Sequence, residues 1–422
     1  MRTRAGTRVL LGAALAVLLL VVLGPFSGNY PQAAAAGDVI PGRYIVVLRD
    51  GVDASGLAAR HGVRPDVTYG HALNGFAGAV SPAALARLRA DPNVAFIEPD
   101  RIVTAFDQTL PTGVNRIDGE ENAAAAIDGV DANGGVGLDI DIAVIDTGID
   151  SDHPDLRVAG GADFSRSKLC KSKSFEDGHG HGSHVAGTAA ARDNGIGVVG
   201  VAPGARLWAV KVLSDSGSGY TSCVIKGVDW VTANAATIEV ANMSLGGGNS
   251  SSLCNAIAKS AAKGVVYAVA AGNSATNAQN TSPANCPAVL STSAIADFNG
   301  KGGGGAAATC RSDVDDTFAD FSNFGAVVDI AAPGVCVLST YKNGGYATFS
   351  GTSMASPHVA GAAALYILAN NVNPSDAAGA AAVRNGLIAA GKAQSDANCG
   401  FSGDPDGIAE PLLYVGTSGT CQ

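Results

Sequence analysis

Aromatic residues are scarce, at 5% of the chain, while Gly reaches 56 residues. That balance suits tight turns and close-packed layers of helix and sheet. The glycines follow no fixed period, which excludes collagen-like and repeat architectures. Net positive charge is also missing: the formal balance is −10, which argues against a nucleic-acid partner. No C-x-x-C pair occurs, so a zinc ribbon or a thioredoxin-like motif is not expected. The apolar run Val9 to Leu23, at 15 residues, falls short of the roughly 20 needed to span a bilayer.

The 422 residues that remain to be explained suffice for two or three domains. Charge divides them unevenly. Residues 1–105 hold 10 of the 27 basic and 7 of the 37 acidic residues, so the body carries 17 against 30. Met1 to Arg8 has three arginines and no acid, the apolar run follows, Gly24-Pro25 breaks it, and Ala33 to Ala36 offers an A-x-A cleavage site. Residues 1–36 thus read as a signal peptide, which sends the chain to the extracellular side. All eight cysteines lie after residue 105, and an even number in an exported chain reads as disulfides. Roughly a hundred pairings are open to eight cysteines. Sequential closure (Cys254 with Cys286, Cys310 with Cys336, Cys399 with Cys421, and Cys170 with Cys223 by elimination) is one of them.

Residues 37–105 alternate strand and helix patterns in the order β-α-β-β-α-β. Arg43 to Leu48 reads as a strand, Asp53 to His61 as a helix, and Val67 to Val80 as paired extended segments around Asn74-Gly75. Ser81 to Ala90 opens with Ser-Pro and reads as a helix, and Val94 to Ile97 as a strand. This order matches a small ferredoxin-like α+β unit.

From Asp139 onward, apolar strands alternate with helices and end in Gly loops, which predicts a mainly parallel sheet with helices on both faces. The strands are expected at 139–146, 207–213, 241–245, 265–271, 288–295 and 327–331. The helices are expected from His181 to about Arg192 and at 223–233, 254–263 and 353–369. Ligands meet such sheets at the carboxyl ends of the strands. Asp146 ends the first strand. Glu-Asp-Gly-His-Gly-His-Gly at 176–182, with Ser183-His184 after it, places three of the seven histidines within six residues. Neither Cys nor carboxylates stand at zinc spacing there, so His181 reads instead as a base at a helix N-terminus, where the dipole keeps imidazole neutral. Ser353 opens another helix, where its hydroxyl sits beside unpaired backbone N–H groups. A hydroxyl, a base near neutral pKa and a carboxylate to orient it are what nucleophilic hydrolysis requires. Asn273, after an apolar strand, offers an amide donor that with the Ser353 N–H makes a two-donor oxyanion hole.

Four segments carry a resemblance: Val144-Ile145-Asp146-Thr147-Gly148-Ile149, His181-Gly182-Ser183-His184-Val185-Ala186-Gly187-Thr188, Ala270-Ala271-Gly272-Asn273 and Gly351-Thr352-Ser353-Met354-Ala355-Ser356-Pro357-His358. In this order the chain is similar to the subtilisin family of secreted serine proteases, itself the reference case for Asp, His, Ser connectivity. The resemblance implies an α/β three-layer sandwich with a mainly parallel central sheet over 106–395, preceded by an inhibitory pro-domain at 37–105. Residues 396–422 are expected as a C-terminal extension packed on the peptidase domain. The implied roles are Asp146 as orienting carboxylate, His181 as base, Ser353 as nucleophile and Asn273 as oxyanion donor. His179, His184 and His358 are left to structure. Ser183 stands where the family usually has Thr, and keeps the hydroxyl.

The resemblance further implies that Gly217-Ser218-Gly219 and Ser244-Leu245-Gly246, with Ala271 and Gly272, bind an extended peptide through backbone groups. No acid stands at either edge or beside Asn273, so apolar or aromatic side chains are the expected preference. A structural Ca²⁺ site is implied from side-chain oxygens of Gln108, Asp155 and Asn194 with the carbonyls of Arg192, Ile196 and Val198. Asp313, Asp315 and Asp316 read as a solvated loop. The stretch Val103 to Gln108 is expected to lie in the cleft and be cut by the enzyme itself, giving a self-processing zymogen. The expected partners are polypeptide substrates and the chain's own pro-domain, with no membrane contact after signal cleavage and a monomeric state. Two other classes stand against this reading. An inactive binding homologue is expected to lack a triad member or Asn273, and all four are present. An α/β-hydrolase esterase needs Gly-x-Ser-x-Gly, whereas Ala355 occupies the last position here.

Overall fold

The computed structural model describes residues 39–101, 108–165, 170, 174–419 and 421. Residues 1–36, expected as a signal peptide, and the stretch 103–107, expected to be cut, lie outside these residues. The chain divides into two units, 1–105 and 106–422.

In the first unit, β1 (Val39–Leu48), α1 (Ala54–Arg60), β2 (Val67–Tyr69), β3 (Gly75–Ala79), α2 (Pro82–Arg89) and β4 (Val94–Arg101) follow one another. The four strands form one sheet in the order β2-β3-β1-β4, with antiparallel neighbours. Ser81 caps α2 by accepting from Ala84 N, and Pro82 takes the first helical position, where its missing N–H costs nothing. Leu57, Leu85 and Leu88 of the helices close on Val46 and Phe76 of the sheet. The β-α-β-β-α-β reading of this unit matches the structure.

The second unit opens with α3 (Thr112–Arg116) and α4 (Ala132–Gly135), followed by β5 (Asp141–Asp146), β6 (Val158–Asp163), α5 (His181–Ala190), β7 (Arg206–Lys211), α6 (Thr221–Ala233), β8 (Val240–Met243), β9 (Gly247–Gly248) and α7 (Ser251–Ala261). Next come β10 (Val266–Ala270), β11 (Thr281–Ser282), β12 (Val289–Ala296), β13 (Thr317–Phe318), β14 (Ile330–Pro333), β15 (Val337–Tyr341), β16 (Gly345–Phe349), α8 (Thr352–Ala369) and α9 (Ala377–Ala390). The central sheet runs β13-β12-β10-β8-β5-β7-β6, with β14 also on β12. Every pair is parallel except β12 with β13.

Alternation along β5 sorts its side chains between two cores. Ile142 and Val144 join the core under α5, α8 and α9, while Ala143 and Ile145 join the one under α6 and α7. Both faces are covered, so β5 is apolar throughout rather than alternating, as parallel strands are. The three-layer α/β sandwich expected from the sequence is the observed fold. Sequence patterning missed β6, the β15–β16 hairpin and α9. The Ala-rich α9 has little contrast between its faces, and β6 carries two glycines in six residues.

The segment after α9 returns to the sheet. Leu413 N donates to Ala331 O and Ala331 N to Pro411 O, and Phe401 and Leu412 pack on Ile295, Phe318 and Ala331. Disulfides join Cys170–Cys223, Cys254–Cys286, Cys310–Cys336 and Cys399–Cys421, the sequential pairing. Asp315 and Asp316 correct the expectation of a solvated loop, since both are buried. Phe298 N and Ala306 N donate to Asp315, and Gly304 N and Arg116 to Asp316. The acidic trio reads as solvated only while the distant Arg116 is out of view.

Candidate active site

Asp146 is the last residue of β5, fully buried, and its Oδ1 accepts from the following Thr147 N at 2.7 Å. His181 is the first residue of α5, and its Nδ1 lies 2.7 Å from the same Asp146 oxygen. That contact assigns the proton to Nδ1 and leaves Nε2 as the basic nitrogen. The helix cap is Gly180, at φ 104°, with the Tyr341 ring 2.0 Å from where a Cβ would stand. Only glycine fits that approach. Burial works against a charged His181, but the Asp146 carboxylate, by charge and hydrogen bond, and Asp177 by charge outweigh it, and the pKa is raised. His184 and His358 differ: burial pushes them down to about 3 and about 4. His184 Nε2 reaches the carbonyls of Val337 and Ala347, and His358 Nδ1 that of Met354, in line with structural roles.

Ser353 stands in the first turn of α8. Its Oγ donates to Ser244 O at 3.2 Å. Pro357 lies inside the helix and has no N–H for the Ser353 carbonyl four residues back. Ser244 Oγ supplies the missing donor at 2.7 Å. Asn273 follows β10. Its Oδ1 accepts from Thr352 N and Thr352 Oγ1, both at 2.8 Å, which leaves its NH₂ for the cleft. Gly272, at φ 112°, lets the chain pass 2.4 Å from the Asn323 amide, measured from an added Cβ. Asn323 was not anticipated. Its Oδ1 takes the N–H groups of Ser274 and Thr276, and its Nδ2 donates to Ala271 O.

Two pockets meet at Leu245, Gly246 and Gly247. One, of about 470 Å³, is lined by Thr147, His179, His181, Gly217, Ser218, Gly219 and Ser244 among others. The other, of about 310 Å³, holds Ala270, Gly272, Asn273, Ser274, Thr281 and Ser353 and has no charged side chain in its wall. Of the expected peptide-binding residues, Ala271 is misplaced. It is fully buried, its carbonyl is taken by Asn323, and it lines neither pocket. The odd residue of the strand's end points inward, and Ala270 takes the lining position.

The residues expected to hold calcium also converge. Gln108 Nε2 lies 2.6 Å from Arg192 O and 3.2 Å from Val198 O. Asp155 is fully buried; its Oδ2 accepts from Val198 N and Tyr346 OH, while its Oδ1 has no partner. Asn194 Nδ2 lies 3.5 Å from Pro154 O, and Asn194 Oδ1 accepts from Ile196 N. Burial raises the Asp155 pKa to about 6. Among the described residues no three His, Cys, Asp or Glu side chains gather in a metal-binding group, and this set has only one carboxylate.

The subtilase family profile matches residues 137–401, and the peptidase inhibitor I9 profile matches residues 43–106. The chain belongs to the subtilase family. It is a serine endopeptidase of the subtilisin type, preceded by an inhibitor-type pro-domain. This subtilase is 37% identical to subtilisin NAT of Bacillus subtilis subsp. natto over 362 residues, 83% of this chain and 86% of that protein. It is 42% identical to an alkaline protease of Alkalihalobacillus alcalophilus over 287 residues, 68% and 67% of the two chains. Among solved structures, a cold adapted subtilisin-like serine proteinase matches with a TM-score of 0.56 at 36% identity, covering 73% of this subtilase and 98% of that chain.

Proposed function

We propose that this subtilase is secreted, made as a self-processing zymogen, and cuts polypeptides through an acyl-enzyme on Ser353, with Asp146, His181 and Asn273 as its partners. The observation that carries the reading is the 2.7 Å Asp146–His181 contact on a cleft whose adjoining pocket holds Ser353 and Asn273.

In this mechanism Ser353 Oγ leaves the Ser244 carbonyl by rotation about χ1 and attacks the scissile carbonyl carbon, while His181 Nε2 takes its proton. Asp146 holds the Nδ1 tautomer and faces the imidazolium that forms. The carbonyl oxygen becomes an anion held by the Asn273 NH₂ and the Ser353 N–H. His181 then protonates the leaving amine, the C–N bond breaks, and an ester remains on Ser353. Water attacks that ester with His181 again as base, releasing the acid and the free serine. His181 must be neutral to accept the first proton, so kcat/KM falls as pH drops through its raised pKa.

The edges Gly217–Gly219 and Ser244–Gly246 take the substrate as an added strand. The uncharged pocket beside Asn273 favours an apolar or aromatic residue before the scissile bond. The pro-domain inhibits the enzyme until the chain cuts itself near Val103 to Gln108. The segment 396–422 stays with the mature monomer, which meets neither nucleic acid nor membrane. Among the described residues no helix is long and apolar enough to cross one. The orphaned Asp155 oxygen among carbonyls fits a cation, and Gln108, Asp155, Asn194 and the carbonyls of Arg192, Ile196 and Val198 would hold Ca²⁺. Bound there, the ion would tie the chain near Gln108 to the body and serve stability rather than chemistry.

The test is secretion of the full chain with and without Ser353→Ala. The unaltered chain is expected to start near residue 105 on N-terminal sequencing and to hydrolyse casein in a manner blocked by an active-serine reagent. A Ser353→Ala product that is cut at the same place, or still digests casein, overturns the proposal.

A further inference from the structure

Asp177 lies outside the four residues assigned to the reaction, yet it is 6% exposed and accepts five hydrogen bonds. Its Oδ1 takes His179 N at 3.0 Å, Gly180 N at 2.8 Å and Thr147 Oγ1 at 2.8 Å. Its Oδ2 takes Ser183 N at 2.9 Å and Ser183 Oγ at 2.7 Å. Thr147 Oγ1 in turn accepts from Gly182 N, and Ser183 Oγ from Asp150 N. These contacts have one topological result. The first turn of α5, which carries His181, is bound to the Asp146-Thr147 turn that ends β5. The cap residue of α5 is glycine, with no side chain to satisfy the first N–H groups, so Asp177 and Thr147 do this from outside the helix.

Resting on the reading that Asp146, His181 and Ser353 form the triad, we propose that Asp177 is a positioning residue that fixes His181 against Asp146 and holds a second negative charge beneath the imidazolium. A carboxylate is required for both tasks. Asparagine supplies one acceptor oxygen for the three donors at Oδ1 and turns its NH₂ toward the Ser183 N–H, where two donors then face each other. Even if Ser183 Oγ accepts from that NH₂ beside its bond from Asp150 N, the Ser183 N–H is left without an acceptor. The charged and titratable groups around His181 are few. Asp146 faces it from β5, His179 stands 6.3 Å away between ring centres, and His184 lies one turn along α5. Lys211 of β7 is tied to the Thr147 carbonyl and to Asp215. Asp177 adds to Asp146 in favouring the protonated ring.

The experiment compares Asp177→Asn, Thr147→Val and Ser353→Ala in the secreted full chain, with kcat, KM and the pH profile of kcat/KM on a chromogenic peptide and a melting curve for each. Misplacing a reacting group by about 1 Å costs on the order of 10²-fold, so Asp177→Asn is expected to lower kcat by ~10- to 100-fold. KM is expected to stay within about twofold, because no substrate contact is lost. The acid limb of the profile is expected to move to lower pH, since the ring gives up its proton more readily without the second anion. Thr147→Val removes one hydroxyl but keeps the carboxylate, so it is expected to lower kcat and leave the acid limb in place. It carries the test where Asp177→Asn does not fold. A kcat within twofold of the unaltered enzyme, a loss confined to KM, or an unmoved acid limb in folded Asp177→Asn overturns the proposal. So does an unchanged kcat in Thr147→Val. Activity in Ser353→Ala overturns the triad reading instead.

Discussion

Replacing Arg116 with leucine tests what joins the start of the peptidase unit to its C-terminal segment. The side chain is 1% exposed. Its Nε donates to Asp316 Oδ1 at 2.9 Å, and its Nη2 to Cys399 O at 2.8 Å and Gly400 O at 3.0 Å. Asp297 Oδ1 lies 4.0 Å from Nε. Leucine keeps much of the apolar contact but strands two carbonyls and leaves two buried carboxylates with only backbone donors. Removing one partner of a buried ion pair costs about 3–5 kcal/mol. At about 2 °C per kcal/mol, suited to a unit of this size, the melting temperature should fall by ~6–10 °C. The loss should depend on pH. Burial pushes Asp297 up to about 7, against the pull of Arg116 and with help from Asp316 and Asp315. The unfolded carboxyl ionises near 3.9, so the folded state holds the extra proton between these values. Stability from that group is therefore full below about 4 and lost as pH rises through about 7. Without Arg116 the Asp297 pKa rises further, so the folded variant holds more protons than the unaltered chain near neutral pH and loses more stability as pH rises from 5 to 8. The assay is melting of the full chain in a Ser353→Ala background, which removes self-digestion, at one scan rate and at both pH values. A drop of under 2 °C at pH 8, or a larger drop at pH 5 than at pH 8, refutes the reasoning.

Asn273→Ala removes one oxyanion donor and should lower kcat by about 10²- to 10³-fold with little change in KM, a loss known from subtilisin itself rather than worked out from this chain. Steady-state kinetics on a short peptide check it, and a loss confined to KM would refute the role. Chelation of calcium should lower the melting temperature of the mature enzyme and speed its self-digestion. An ion at 100 times its Kd contributes about 2.7 kcal/mol, and Asp155→Ala should abolish the response to added Ca²⁺.

The sandwich and the four central residues were legible because their signals are local. Each of Asp146, His181, Asn273 and Ser353 lies at or within three residues of the end of a regular element, and the few residues around it record that boundary in small side chains and apolar runs. Asp177 and Arg116 have no such signature. Asp177 stands in a polar, Gly-rich stretch and looks like any turn aspartate, because Thr147, the donor that gives it purpose, lies 30 residues earlier. Arg116 meets carbonyls 283 and 284 residues away, and nothing near it in the sequence announces a buried cation. Ala271 failed for the opposite reason. Which of two adjacent small residues lines the pocket is set by alternation along the chain at the end of β10, and Ala270 rather than Ala271 lines it.

Pro357 shows how a local rule can be broken to a positional end. Within a helix, proline costs the carbonyl four residues back its donor, and here that carbonyl belongs to Ser353. The vacancy is filled by Ser244 Oγ, which itself accepts from Asn242 Nδ2, while Asn242 Oδ1 accepts from Ser356 Oγ. Ser244 also offers its own carbonyl to the Ser353 hydroxyl. The proposed nucleophile and the proposed substrate edge are therefore held by two reciprocal hydrogen bonds. With an N–H at position 357 the Ser353 carbonyl would have a donor within α8 and would depend less on Ser244. The helix defect thus makes Ser244 the donor that ties the residue proposed to attack to the edge proposed to hold the substrate.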